Sequence, residues 1–198
     1  MTQKSVPSVH PADAEVWLCG IAYTPEVSRL ERAVHDAFVQ KAEALFKTAP
    51  DVPNRDVEGT RVALENSEHA FQTEIRRLAY SSMPSDRMKR GNAQVNGEEL
   101  SRLFADLENE TMAFRNAYMG LLKNSEAAVN AAGEKEQYNA ALHYYFDASW
   151  DLFKKMNAAA SNMGKRLLDV FQRQDSTATI KDDKISDGVP TSLRHIHR

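Results

Sequence analysis

The chain has 198 residues, of which 42% are hydrophobic and 27% are charged, and its formal net charge is −3. Such a composition is typical of a folded globular protein, and this length suffices for one domain with a substantial core. The slight acidic excess argues against general binding to nucleic acid, which normally requires a basic surface.

Signals for export or membrane insertion are absent from the sequence. The N-terminus has no basic head followed by an apolar run and a cleavage site, so no secretory signal is predicted. The longest nearly apolar run, residues 16–23, is far shorter than the roughly 20 residues of a membrane-spanning helix. Cys19 is the single cysteine, which excludes an internal disulfide and fits a reducing compartment. We therefore expect a soluble, cytoplasmic protein, although secretion without a cleaved signal would leave no trace here.

Residues 1–24 are predicted to form a short N-terminal arm. The first eleven residues have no hydrophobic period, and a compact apolar cluster follows them. The cluster consists of Val16, Trp17, Leu18, Ile21 and Tyr23. Two interpretations stay open: the arm packs across the folded domain and closes one end, or it presents an anchor to a partner.

Two helices are predicted next. The first begins at a clear signal, with Thr24 as N-cap, Pro25 at the first helical position and Glu26 in the first turn. Apolar residues at helical spacing line one of its faces as far as about residue 48. The second helix covers about residues 56–81 and has a thinner, more polar inward face.

The break at residues 81–97 carries the main basic feature of the chain. Five cationic side chains lie between residues 76 and 90: Arg76, Arg77, Arg87, Lys89 and Arg90. The first two fall in the last turns of a helix, where cations are favourable. The other three are candidate binding residues for a phosphate, an anionic lipid or an acidic partner, and a merely solvated loop is the alternative interpretation.

Two long helices, at about residues 97–132 and 134–172, are predicted to fold back on each other at Gly133. Apolar or small residues recur along each at alternating steps of four and three. Pairing the two rows places small side chains opposite large ones, with Ser125 facing Tyr145 and Ala128 facing Leu142. The sequence therefore predicts an all-α protein: a four-helix bundle over residues 25–173, built on a long antiparallel helical hairpin, with a disordered, flexible tail at 174–198.

No catalytic residue, cofactor site or metal ligand is predicted. A di-metal site in a bundle core requires Glu-x-x-His motifs, and none occurs in this sequence. Acid–histidine pairs do occur four residues apart: Glu31 with His35, Glu65 with His69, and His143 with Asp147. We interpret these pairs as solvated surface contacts, and Cys19 as a small buried hydrophobe.

The leading functional hypothesis is a non-enzymatic helical module for protein–protein interaction, including self-association. Tyr144 and Trp150 lie off the inward rows of the last helix, and exposed Tyr and Trp are enriched in binding hot spots. The first alternative is a bundle that binds anionic lipid or a membrane surface through the basic 76–90 region. A membrane surface is the less favoured partner. The second alternative is a metal-dependent enzyme housed in the bundle.

Overall fold

The computed structural model describes residues 11–47, 49, 52–81 and 97–186. Within these ranges it contains five helices and no strand, which confirms the all-α fold class. The helices are α1 Pro11–Ala22, α2 Pro25–Leu45, α3 Arg55–Ser81, α4 Gly97–Ala131 and α5 Lys135–Ser186. No helix in these ranges is both long enough and apolar enough to cross a lipid bilayer.

The segment predicted as an N-terminal arm is helical from Pro11 onward. Its helix, α1, packs against α3 and α4. Leu18 and Ala22 are fully buried there, whereas Val16 and Trp17 are exposed. Glu15 forms an ion pair with Arg76 of α3, at 2.9 Å between Oε1 and Nε. Of the two interpretations of this segment, packing against the other helices fits the burial of its inner face.

Side-chain caps define the ends of α2 and α3. Thr24 accepts a hydrogen bond from the backbone N–H of Val27 at 3.3 Å, as predicted for the start of α2. Asn54 then joins the two helices. Its Nδ2 donates to the Phe46 carbonyl at 2.8 Å, and its Oδ1 accepts from the N–H groups of Asp56 and Val57. The chain therefore turns from α2 into α3 around one asparagine.

Two ion pairs connect the longest helices, α4 and α5. Asp106 pairs with Arg166, and Glu99 Oε1 pairs with Arg173 Nη2 at 3.1 Å. Going from the first pair to the second moves seven residues back along α4 and seven forward along α5. The two contacts thus progress in opposite directions along the two helices.

Helix α5 continues to Ser186, so the disorder predicted from residue 174 is not confirmed over residues 174–186. Once a helix has formed, each added residue gains one backbone hydrogen bond, and an apolar face is not needed for this extension. After Gly164 the sequence contains no glycine or proline before Gly188 that would stop the helix. The remainder of the predicted tail, 187–198, lies outside the described residues.

The core lies where α2 and α3 pack against α4 and α5. The Phe71 and Tyr118 rings stack with centroids 4.1 Å apart and planes 12° apart. Tyr145, which was predicted to face Ser125, is fully buried, and so is Ser125. Phe38 of α2 also contacts Tyr145 of α5, with ring centroids 5.8 Å apart. Aromatic rings from all four long helices thus pack in the core, beside the polar groups described next.

Candidate functional site

Of the five predicted partner-binding residues, two lie in the described part of the chain and three lie outside it. Tyr144 and Trp150 are exposed on α5, with 45% and 63% of their surface accessible. Arg87, Lys89 and Arg90 lie outside the described residues, so the basic loop stays a prediction.

Tyr144 and Trp150 belong to two different surfaces of α5. Six residues along a helix correspond to a rotation of about 120° and a rise of about 9 Å. Tyr144 borders α4. Asn157 lies within about 20° of Trp150 around the axis and accepts a hydrogen bond from Arg77 of α3 at 3.4 Å. The structure therefore does not combine the two aromatic side chains into one patch.

An open groove of about 390 Å³ runs between α4 and α5 beside Tyr144. It is lined on α4 by Ala117, Gly120, Leu121 and Asn124, and on α5 by Tyr144, Ala148, Asp151, Leu152 and Lys155. Small side chains on both helices leave this space, and a Cβ added to Gly120 would meet no neighbouring atom within 4 Å. Asp151 and Lys155 give the groove both signs of charge, one helical turn apart.

A second candidate site is a buried polar cluster around Glu31, which sequence analysis wrongly treated as a surface residue. Only 1% of Glu31 is accessible to solvent, and its carboxyl oxygens are hydrogen-bonded to the hydroxyls of Tyr23 and Tyr118. The reason for its burial is its position on the inward row of α2, between Val27 and Val34. The spacing of four and three residues in that row was the available signal.

Two further contacts connect this cluster to α3 and α5. The Tyr23 hydroxyl also lies 3.1 Å from Oε1 of Glu68. His35 Nε2 lies 3.2 Å from the Tyr145 hydroxyl. The Tyr145 hydroxyl is in turn hydrogen-bonded to Tyr118, which contacts Glu31, so Glu31 and His35 belong to one interior network and are not a solvated surface pair.

Burial favours the neutral forms of these groups. Burial raises the pKa of the Glu31 carboxyl, an effect that the hydrogen bonds from Tyr118 and Tyr23 oppose. Burial lowers the pKa of His35. It also raises the pKa of Tyr145 to about 12. Burial therefore shifts the titration of Glu31, His35 and Tyr145 toward their uncharged forms.

A cleft of about 250 Å³ between α2 and α3 borders the cluster. Its charged and titratable lining residues are Tyr23, Glu31, Arg32, His35, Asp36, Arg61, Glu65 and Glu68. In the described part of the chain, no three or more His, Cys, Asp or Glu side chains are grouped so that they could hold a metal ion. Glu31 itself is only 1% accessible, so molecules in the cleft can hardly contact it.

The other sequence candidates lie elsewhere. Glu65, His69, His143 and Asp147 are exposed, as expected for solvated surface pairs. Cys19 is a half-buried free thiol, and burial raises its pKa, which disfavours the nucleophilic thiolate.

Comparison with known proteins gives no indication of function. The function of the chain is therefore inferred from its own residues. No protein-family model, curated protein or solved structure matches it.

Proposed function

We propose that the chain is a non-enzymatic protein–protein interaction module that self-associates. In this proposal α2, α3, α4 and α5 act as a four-helix bundle, and the antiparallel hairpin of α4 and α5 presents the contact surface. The observation that carries the proposal is the open groove of this hairpin with the exposed Tyr144 at its side.

Tyr144 has the properties of a binding anchor. Its ring is 45% exposed, so its burial in a complex would remove a large apolar surface from water. Tyrosine loses little conformational freedom on binding for the area that it buries, and its hydroxyl adds a hydrogen bond. Its neighbours Gly120 and Ala148 are small, which allows a partner helix to approach the backbone closely.

A second copy of the chain is the partner that the charges of the groove favour. A twofold interface is self-complementary, because the same surface patch contributes to both sides. The groove carries both an acid, Asp151, which forms an exposed ion pair with Lys154 at 2.6 Å, and a base, Lys155. Two copies related by a twofold axis can therefore place each acid opposite the base of the other copy.

The two alternative functions receive no support from the described residues. Binding to anionic lipid depends on Arg87, Lys89 and Arg90, which lie outside them. A metal-dependent enzyme would require a ligand set of the kind that the described part lacks. Both alternatives stay predictions.

The test compares two variants of the full chain by analytical ultracentrifugation. Ala148→Arg places a long charged side chain in the groove and should weaken dimerisation about tenfold or more. Trp150→Ala removes a more exposed aromatic side chain from the other flank of the same helix and should leave the dimer unchanged. Equal dimerisation by the Ala148→Arg variant and the unmodified chain would contradict the proposal.

A further inference from the structure

The hydroxyl of Tyr23 has more hydrogen-bond partners than it can serve. It lies between two carboxyl groups, those of Glu31 and Glu68. A phenol has one hydrogen and can donate it to only one acceptor. If both carboxyl groups were ionised, Tyr23 could donate its hydrogen to only one of them. The contact between its hydroxyl oxygen and the other carboxylate oxygen would then contain no hydrogen. Both contacts of the Tyr23 hydroxyl can be hydrogen bonds when one of the two carboxyl groups carries a proton.

Glu31 is the carboxyl group better suited to carry the proton. It is 99% buried, and no lysine or arginine forms an ion pair with it in the described part of the chain. A buried charge without a counter-ion is strongly unfavourable, so such a group becomes neutral instead. Glu68 is only half-buried, borders the open cleft and accepts a further hydrogen bond from Gln72 at 3.4 Å.

We propose that Glu31 holds a proton at neutral pH and acts as a pH-sensitive latch between helices. Its acid O–H donates to Tyr23, and the Tyr23 O–H donates to Glu68. Its other oxygen accepts from the Tyr118 O–H. Each contact then has one hydrogen. The latch consists of Glu31, Tyr23, Glu68 and Tyr118. It connects α2, which carries Glu31, to the preceding connection at Tyr23, to α3 at Glu68 and to α4 at Tyr118.

The titratable groups around Glu31 come from several elements. Tyr23 faces it from the α1–α2 connection, Glu68 from α3 and Tyr118 from α4. The Tyr145 hydroxyl of α5 is bonded to His35, one turn further along α2. Arg32, Asp36, Arg61 and Glu65 line the adjoining cleft. Burial raises the pKa of Glu31, the hydrogen bonds with Tyr118 and Tyr23 lower it, and the charge of Glu68 raises it less strongly; the net effect is a raised pKa, which favours the protonated form.

Loss of the proton should destabilise the fold in a defined pH range. In the unfolded chain the Glu31 carboxyl titrates near its ordinary pKa of 4.5. Because its pKa is higher in the folded state, the latch stabilises the fold fully below 4.5, and this stabilisation is lost as pH rises to the folded pKa. Over that range the unfolding equilibrium constant should rise about tenfold per pH unit from this site alone.

The first test compares Glu31→Gln with the unmodified chain in urea unfolding at a series of pH values. The amide is a neutral mimic of the protonated acid, since its NH₂ group can donate to Tyr23 and its carbonyl can accept from Tyr118. The unfolding constant of the unmodified chain, divided by that of the variant, should rise with pH above 4.5. Glu43→Gln, at an exposed position of α2, is the matched control and should give a flat ratio. A flat or falling ratio for Glu31→Gln would overturn the proposal.

The second test does not depend on the folding of that variant. At pH 6 the infrared spectrum of the folded, unmodified chain should contain the C=O band of a protonated carboxyl group, which unfolding in urea abolishes. Glu110 is the other glutamate of the described part whose pKa is raised by burial. The band should therefore persist in Glu110→Gln. Absence of the band from the unmodified chain, or its complete loss in Glu110→Gln, would overturn the proposal.

Discussion

At the scale of single residues, Tyr118 combines two kinds of contact that can be separated experimentally. Its ring stacks on Phe71, and its hydroxyl donates to Glu31 in the interior. The ring contributes by removing apolar surface from water, whereas the hydroxyl satisfies a buried oxygen.

Tyr118→Phe should lower the free energy of unfolding by about 1–3 kcal/mol, because one buried oxygen of Glu31 loses its donor while the ring packing is retained. Tyr118→Ala, which also removes the ring, should lower it by about 3–5 kcal/mol. Urea unfolding followed by circular dichroism measures both values. Equal losses in the two variants would show that the hydroxyl, and not the ring, dominates.

The buried cluster shows what sequence reasoning misses at this scale. The burial of Glu31 was open to prediction, since it occupies a core position of α2 between Val27 and Val34. Its polar character led instead to a surface interpretation. Its partners were not open to prediction, because Tyr118 is distant in sequence and meets Glu31 only when α4 packs on α2.

At the scale of helices, the start of α2 was predicted correctly and the end of α5 was not. The cap at Thr24 was readable because an N-cap, a proline and an acid occur together within three residues. The end of α5 was not readable from the loss of apolar periodicity after residue 173, because a polar helix can continue until a breaker intervenes. Asn54 was also missed as a cap, since its contacts with Phe46 depend on how α2 and α3 meet.

Asn54→Ala should destabilise the fold by about 1 kcal/mol, the usual effect of removing a helix N-cap. Two backbone N–H groups at the start of α3 lose their acceptor, and the Phe46 carbonyl loses its donor. Thermal unfolding of the full chain measures the change. Asn54→Asp serves as control, because a carboxylate can still cap α3 but cannot donate to Phe46. If Asn54→Asp loses as much stability as Asn54→Ala, the hydrogen bond to the Phe46 carbonyl, and not the cap of α3, accounts for the effect.

At the scale of the whole molecule, the all-α class and the exposure of the two aromatic side chains of α5 were predictable. The heptad pattern identified inward rows, and Tyr144 and Trp150 fell outside them. Their separation of six residues already implied a rotation of about 120° around the helix. The pattern did not indicate which helix lies beside each of them, α4 at Tyr144 and α3 on the side of Trp150.

Because both side chains are exposed, Tyr144→Ala and Trp150→Ala should each change the stability of the monomer by less than about 1 kcal/mol. Urea unfolding at low protein concentration measures this change without a contribution from self-association. Unfolding of either variant under native conditions would identify that side chain as part of the core and remove it from the candidate interaction residues.

Native mass spectrometry of the full chain, purified gently from its own source, tests the central claim most directly. Self-association through the groove predicts a species of twice the 22.2 kDa mass of one chain, with its fraction rising with concentration. A single chain at every concentration would contradict the account, as would a dimer that persists unchanged in Ala148→Arg.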